Sequence, residues 1–250
     1  MRVGYSMVDG KHIMVTGATS GIGYAVTKDL LAHGAHVTAV GRNEQRLDEL
    51  RQLGGNALQA VAFDLTDFER YENLVSSIAP LDGLVHSAGI VENNPLRYFS
   101  MEKYQRTVAI NQTAPLALIS ELARSGKLNT HASLVLVSSI LGTSIGMKGT
   151  AAYAGTKAAL AAFAKVMSLE LAHRCIRVNC VSPGMVETEL VENARQLSSQ
   201  AIQADKDRYP LGKRYAKPME ISSTVRFLLS IESSFITGQN IIVDGGFSVQ

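Results

Sequence analysis

The sequence predicts an α/β protein built on one doubly wound parallel sheet of about seven strands, with helices on both faces. Three observations predict it. Short apolar runs rich in β-branched residues recur along the chain. They lack the period-2 polarity of half-exposed strands, as suits parallel strands buried on both faces. Longer helical patterns separate them, and strand then helix, repeated, is the pattern of a doubly wound sheet.

Taken in order, the first strand, His12–Thr16, runs straight into Thr16-Gly17-Ala18-Thr19-Ser20-Gly21-Ile22-Gly23 and a helix at Gly21–His33. A second strand at Ala35–Val40 ends in Gly41-Arg42-Asn43 and leads to a helix at Glu44–Leu53. The third, Ala57–Phe63, is followed by Asp64, Leu65 and a helix at Asp67–Ala79. The fourth, Gly83–His86, leads through Ser87-Ala88-Gly89 to a helix at Met101–Ser125. The fifth, Ser133–Val137, precedes a long Ala-rich helix at Ala152–His173. A sixth at Ile176–Val181, a helix at Pro218–Ser230 and a last strand at Asn240–Val243 complete the set. No composition break or Pro/Gly/Ser linker divides the chain, so residues 1–250 read as a single domain. The polar stretch Glu187–Lys217, which carries Tyr209-Pro210-Leu211-Gly212, fits neither pattern and is the candidate substrate lid.

Composition narrows the function. With 46% hydrophobic and 18% charged residues the chain can bury a sizeable core, which argues against disorder. Lys plus Arg exceed Asp plus Glu by only 24 − 22 = 2, and the charges are scattered, so nucleic-acid and membrane partners are not expected. The start lacks the apolar core of a signal peptide and no segment has an unbroken membrane-length apolar run, which predicts a cytoplasmic protein. Cys175 and Cys180 are five extended steps apart, roughly 16 Å, beyond disulfide reach. They read as reduced, partly buried thiols. No CxxC or HExxH spacing supports a metal site.

The glycine loop carries the first chemistry. Glycines between a strand and a helix allow a tight turn and close approach of backbone to a pyrophosphate, and the helix N-terminus supplies free N–H groups and a favourable dipole. An ordinary strand-to-helix turn is the alternative, and the GxxxGxG spacing differs from the common GxGxxG.

At this loop the chain resembles the short-chain dehydrogenase/reductase family, whose signature TGxxxGIG is reproduced at Thr16 to Gly23. The resemblance runs on to the C-terminus through Asp64, Ala88-Gly89, Asn111, Ser139, Tyr153, Lys157, Pro183-Gly184 with Thr188, Thr237-Gly238 and Asp244-Gly245-Gly246. One departure is His86-Ser87-Ala88-Gly89 where the family usually has Asn-Asn-Ala-Gly. The resemblance implies a Rossmann fold that binds a nicotinamide dinucleotide. It assigns to the cofactor Gly17, Ser20, Gly21, Ile22, Gly23, Arg42, Asp64, Leu65, Ala88, Gly89, Tyr153, Lys157, Pro183, Gly184, Val186 and Thr188. Asp64 would meet the adenine, the Val186 backbone the nicotinamide carboxamide, and Thr188 the pyrophosphate.

The end of the second strand bears on which dinucleotide. An acidic residue about 20 positions past the glycines would accept the ribose 2′-OH of NAD, whereas an Arg accommodates the 2′-phosphate of NADP. Here Gly41 stands where the acid would sit and Arg42 follows it, so NADP(H) is favoured over NAD(H).

Tyr-x-x-x-Lys occurs three times, at Tyr24/Lys28, Tyr153/Lys157 and Tyr209/Lys213. The first lies within the helix that opens on the glycine loop, and the third straddles Pro210 and Gly212, which break helical spacing. Only Tyr153/Lys157 has partners, because it follows Ser138-Ser139-Ile140-Leu141-Gly142 at a strand end. A free Tyr has a pKa near 10, so proton exchange at neutral pH needs a neighbouring cation, which Lys157 supplies. The resemblance implies that Tyr153 is the general acid, that Lys157 also holds the nicotinamide ribose, that Ser139 (rather than Ser138) bonds the substrate oxygen, and that Asn111 anchors a proton-relaying water.

The expected activity is NADPH-dependent reduction of a ketone or aldehyde, with 3-oxoacyl-carrier-protein reductases the relatives resembled most in length and ending. An acyl carrier protein is thus a candidate partner. Arg174 matches one docking arginine of that subfamily, while Thr130, with Lys127 and His131 near, replaces the other. Oxo-sugar or other secondary-alcohol substrates are the alternative, and a non-catalytic dinucleotide sensor on the same fold is a further one. The helix Ala152–His173 is apolar nearly all round and that from Met101 to Ser125 broadly so, which predicts a homo-oligomer packed across a twofold axis; the resemblance implies a second twofold interface near Asp244-Gly245-Gly246, and so a homotetramer.

Overall fold

The computed structural model describes residues 7–188 and 199–250. Seven parallel strands form one sheet in the order β3-β2-β1-β4-β5-β6-β7. They are β1 (His12–Thr16), β2 (His36–Gly41), β3 (Leu58–Ala62), β4 (Leu81–His86), β5 (Leu128–Val137), β6 (Arg177–Pro183) and β7 (Asn240–Val243). Strand order reverses between β1 and β4, and in such sheets that switch point opens a crevice at the carboxyl ends of the strands.

Successive strand residues point to opposite faces, so each apolar run feeds two cores. Ile13, Val15, Val85 and Val135 face one side, where Val26 and Leu30 of α1 (Gly21–Ala32), Leu47 and Leu50 of α2 (Glu44–Gly54) and Ile221, Val225 and Leu228 of the C-terminal helix pack on them. Met14, Leu84 and Leu134 face the other side. There Leu74 and Val75 of α3 (Tyr71–Ser76), Leu118, Ile119 and Leu122 of α5 (Ala114–Arg124) and Leu160, Ala164 and Met167 of α7 (Ala151–Glu170) cover them. This two-sided burial is why the strands read as unbroken apolar runs.

The structure departs from the sequence reading in four places. The expected helix Met101–Ser125 is α4 (Met101–Val108), a π-helical turn at Ala109–Thr113, then α5. Strand β5 begins at Leu128 rather than Ser133, its first half disguised by the polar Asn129, Thr130 and His131. Cys175 is exposed and left-handed at φ +56° in the turn before β6, so only Cys180 is a buried thiol; both are free. The stretch Glu187–Lys217 contains helix α8 (Ser199–Lys206) and buries Tyr209 and Tyr215, while residues 189–198 of the expected lid lie outside the described residues. A single turn, α6 (Ile140–Thr143), follows β5, and α9 (Pro218–Leu229) precedes β7. Among the described residues no helix is long and apolar enough to cross a membrane.

Candidate active site

The carboxyl ends of β1, β4, β5 and β6 carry the residues singled out above, and tight backbone contacts bring them together. Gly17 and Gly21 adopt φ +66° and +50°. A Cβ on Gly17 would lie 2.8 Å from the Ala88 backbone, and one on Gly23 2.2 Å from Gly17 O, so only glycines let the loop close on the end of β4. Ser20 precedes α1 without capping it by its side chain, which leaves the first-turn N–H groups, those of Ile22 and Gly23 included, for an anion. Thr188 arrives at the same place, its Cγ2 3.3 Å from the Cβ position of Gly21.

At the far end of this crevice a Cβ on Gly41 would lie 2.5 Å from Thr19 Cγ2, so Thr19 fills the space where an acidic side chain would start. Arg42 Nη1 lies 3.5 Å from Asp64 Oδ2, with both side chains largely exposed. The Thr66 N–H and hydroxyl donate to Asp64 Oδ1 at 2.9 and 2.8 Å. The backbone bond leads the hydroxyl and Arg42 in holding this carboxyl below the usual range. Leu65 is buried, and its carbonyl accepts from Tyr71 Oη at 2.6 Å.

The end of β5 clamps α7. Ser138 Oγ donates to Lys157 O at 2.7 Å, and Lys157 Nζ donates to Val137 O at 2.8 Å. Gly142, at φ +92°, has its Cβ position 2.1 Å from Ala154 O, so the turn after Ser139 lies directly on the helix one residue past Tyr153. These contacts separate the two serines: Ser138 is committed to the helix backbone, whereas Ser139 Oγ accepts from Leu141 N–H at 3.1 Å at the start of α6 and lies within reach of the Tyr153 phenol. Burial pushes the Tyr153 phenol above its ordinary range, with the Ser139 bond acting against it. Lys157 is 4% exposed, and its ammonium is pushed down to about 8 by desolvation. Its Nζ sits 5.8 Å from the centre of the Tyr153 ring, so the cation stands over the phenol's ring while bonding Val137.

Asn111 lies in the π turn, a geometry that recurs at functional sites. Its Oδ1 accepts from Ile90 N–H at 2.8 Å, and its Nδ2 donates to Ile90 O (2.9 Å) and Thr156 Oγ1 (3.2 Å). It thereby braces the loop after β4 against α7. Gly89 marks the convergence, its Cβ position 3.2 Å from Asn111 Oδ1 and 3.3 Å from Lys157 Nζ. Beneath this point His86 is fully buried, with Nδ1 2.9 Å from Thr16 Oγ1 and no hydrogen-bond partner for Nε2 among the described residues. Burial, reinforced by the Lys157 charge, pushes the imidazole down to about 3.

Along the segment after β6, Gly184 N–H donates to Val243 O (3.0 Å), Ala216 N–H to Met185 O (3.0 Å) and Glu187 N–H to Ala216 O (2.9 Å). This is a parallel bridge centred on Val186, and in that geometry the Val186 N–H and C=O point away from Ala216. The segment therefore presents one donor and one acceptor side by side, as a primary amide requires.

The other two Tyr-x-x-x-Lys pairs are elsewhere. Lys28 Nζ lies 5.4 Å from the Tyr24 ring, which also stacks on Arg46, and Lys213 is exposed in a left-handed turn after Tyr209. Arg174 donates to Leu128 O within its own chain, and Thr130 is exposed.

A protein-family model described as enoyl-(acyl carrier protein) reductase matches residues 17–248. The chain belongs to the short-chain dehydrogenase/reductase family. Within it, the chain is 34% identical to a 3-oxoacyl-[acyl-carrier-protein] reductase of Rickettsia conorii over 242 residues, covering 96% of this chain and 98% of that one. It is 36% identical to the L-xylulose reductase of Bos taurus over 240 residues, covering 95% and 96%. A short-chain dehydrogenase/reductase from Brucella melitensis, titled glucose/ribitol dehydrogenase, superposes with a TM-score of 0.90 at 29% identity, covering 99% and 100%. As a short-chain dehydrogenase/reductase the chain is an oxidoreductase.

Sequence reasoning missed Thr19 beside Gly41 and the contact of Tyr209 with Met185. Neither leaves a local signal, since each depends on segments brought together only by folding.

Proposed function

We propose that this protein is an NADP(H)-dependent carbonyl reductase in which Tyr153 delivers the proton to the substrate oxygen. The observation that carries the reading is that Asn111 and Lys157 converge on Gly89 at the carboxyl edge of the sheet, with the Tyr153 ring 5.8 Å from Lys157 Nζ and Ser139 beside the Tyr153 phenol. The cradle suits a dinucleotide: glycines at positions a Cβ would obstruct, uncapped N–H groups at α1, and the amide-like pair at Val186. Gly17, Ser20, Gly21, Ile22, Gly23 and Thr188 would hold the pyrophosphate. Asp64, Leu65 and Ala88 would flank the adenosine, Lys157 and Gly89 the nicotinamide ribose, and Pro183, Gly184 and Val186 the nicotinamide. Arg42 would take the 2′-phosphate. Bound NADPH supplies the hydride.

The chain's own residues do the rest. Ser139 Oγ donates to the substrate carbonyl oxygen and fixes it beside the Tyr153 hydroxyl. Tyr153 gives its proton to that oxygen as negative charge develops there, a general-acid contribution of about 10²–10⁴-fold. Lys157 stabilises the resulting phenolate, and its burial makes that charge count for more than it would in water. Asn111 keeps Ile90 and α7 in register and anchors the water through which Tyr153 is reprotonated. Because Arg174 is engaged by Leu128, we favour a free small carbonyl, such as an oxo-sugar, over a carrier-borne thioester.

The exposed Val166 and Leu169 of α7 and Leu116 of α5 lie opposite the faces those helices bury. We propose that they are covered in a homotetramer. The decisive experiment is NADPH oxidation over a panel of keto-sugars, diketones, quinones and β-ketoacyl thioesters. No turnover of any of them by a protein that binds NADPH would favour a dinucleotide sensor.

A further inference from the structure

Tyr209 is set aside as a catalytic candidate because its Tyr-x-x-x-Lys spacing spans a proline and a glycine, yet it is 4% exposed and its hydroxyl has a specific partner. Met185 N–H donates to Tyr209 Oη at 3.0 Å. The ring is held by Phe247 (centroids 4.7 Å apart) and edge-on by Tyr215 (5.4 Å). It presses on the chain where Gly184 has no side chain, since a Cβ there would lie 3.2 Å from Tyr209 Cε1. The bond to Tyr209 completes the fastening of this segment: Val243 holds Gly184, Ala216 holds Met185 O and Glu187 N, and the phenol holds Met185 N.

We infer that Tyr209 is a positioning residue for the nicotinamide end of the cofactor, acting through Met185 to set the orientation of the Val186 peptide. The inference rests on the cofactor reading proposed above. A peptide plane is rigid: the Val186 N–H shares its plane with Met185 O and the Val186 C=O with Glu187 N, both held by Ala216, and the phenol holds the Gly184–Met185 plane that leads into them, so the chain entering the bridge cannot swing and carry the Val186 peptides with it. Losing the phenol oxygen leaves the part-buried Met185 N–H without its partner, and the segment gains freedom to rotate and find water. Tyr209 packs on Phe247, so the aromatic cluster couples the turn after β7 to the place where hydride transfer is aligned. A side chain that bears no reacting atom thereby affects the chemical step.

The test separates the two ends of the dinucleotide. Adenosine 2′,5′-bisphosphate carries the adenosine and 2′-phosphate but no nicotinamide. In Tyr209→Phe, titration should show NADPH binding weakened about tenfold with adenosine 2′,5′-bisphosphate binding unchanged, and kcat should fall. Tyr215→Phe removes a hydroxyl of the same cluster that bonds Asp205 Oδ2 at 2.7 Å, and should leave both affinities as they are. Unchanged NADPH binding in Tyr209→Phe, or an equal loss for both ligands, would overturn the inference. If the wild-type chain bound neither ligand, the cofactor reading itself would fall. Amide hydrogen exchange on the wild type needs no variant: Met185 should be as protected as Gly184, and a Met185 amide exchanging at an unprotected rate overturns the inference even if Tyr209→Phe does not fold.

Discussion

Arg42 Nη1 lies 3.5 Å from Asp64 Oδ2, an ion pair joining the end of β2 to the turn after β3. Both side chains are largely exposed, and such pairs contribute about 0–1 kcal/mol. A charge-assisted bond to phosphate contributes about 1.5–3 kcal/mol, so Arg42 is free to exchange its partner for a 2′-phosphate. Arg42→Ala should weaken NADPH binding by about tenfold or more while sparing NADH. Isothermal titration with both cofactors checks this, and equal losses would refute the assignment of Arg42.

Tyr153→Phe should abolish turnover with cofactor affinity nearly intact, because the hydroxyl carries the proton and touches little of the dinucleotide. Lys157→Ala should damage both kcat and cofactor affinity. Tyr24→Phe removes the phenol of a surface cation–π stack and should leave kcat unchanged. A Tyr153→Phe variant retaining most of its kcat would place the acid elsewhere.

Lys157 sets opposite pH trends for activity and stability. With its folded-state value near 8, the cation is lost as pH rises through 8, so kcat/KM for NADPH should fall there. Between about 8 and the ordinary value of 10.5 the unfolded chain binds the extra proton, so this group makes stability rise with pH over that range. Lys157→Met should flatten the rise in chemical-denaturation midpoints. A wild-type profile in which activity and stability fall together, unaltered by Lys157→Met, would contradict this account.

His86 should act at the acid end. Its folded-state value near 3 lies below the ordinary 6.5, so the unfolded chain binds more protons below pH 6.5. The stability present above 6.5 is lost progressively as pH falls toward 3. His86→Asn, which restores the residue the family usually has there, should lessen the fall in Tm between pH 6.5 and 4. Parallel Tm curves for the two proteins would show that His86 is not the group responsible.

Val166, Leu169 and Leu116 leave apolar surface on α7 and α5 that solvent does not favour. Sedimentation velocity at micromolar concentration should give a species near four times 26.9 kDa. A single species at the monomer mass would rule the assembly out, and a dimer would remove one of its two interfaces.

What the sequence by itself determined is everything that depends on local periodicity and turn chemistry. The apolar runs marked the strands because β1, β2, β4, β6 and the second half of β5 are buried on both faces, and the glycines at 17, 21 and 23 marked the tight turn. The π turn at Ala109–Thr113 was illegible, since the buried Thr107, Asn111, Ala114, Leu118 and Leu122 keep the three- and four-residue spacing of an uninterrupted helix. Three Tyr-x-x-x-Lys pairs carry the same local pattern, and sequence context alone had to choose among them. Tertiary structure decided the surroundings of each: β5 meets α7 at Ser138, Ser139 and Gly142, around Tyr153 and Lys157, while Tyr209 meets Met185. Those contacts join residues far apart in the chain, and their geometry comes from strand order and packing, which no short window of sequence encodes.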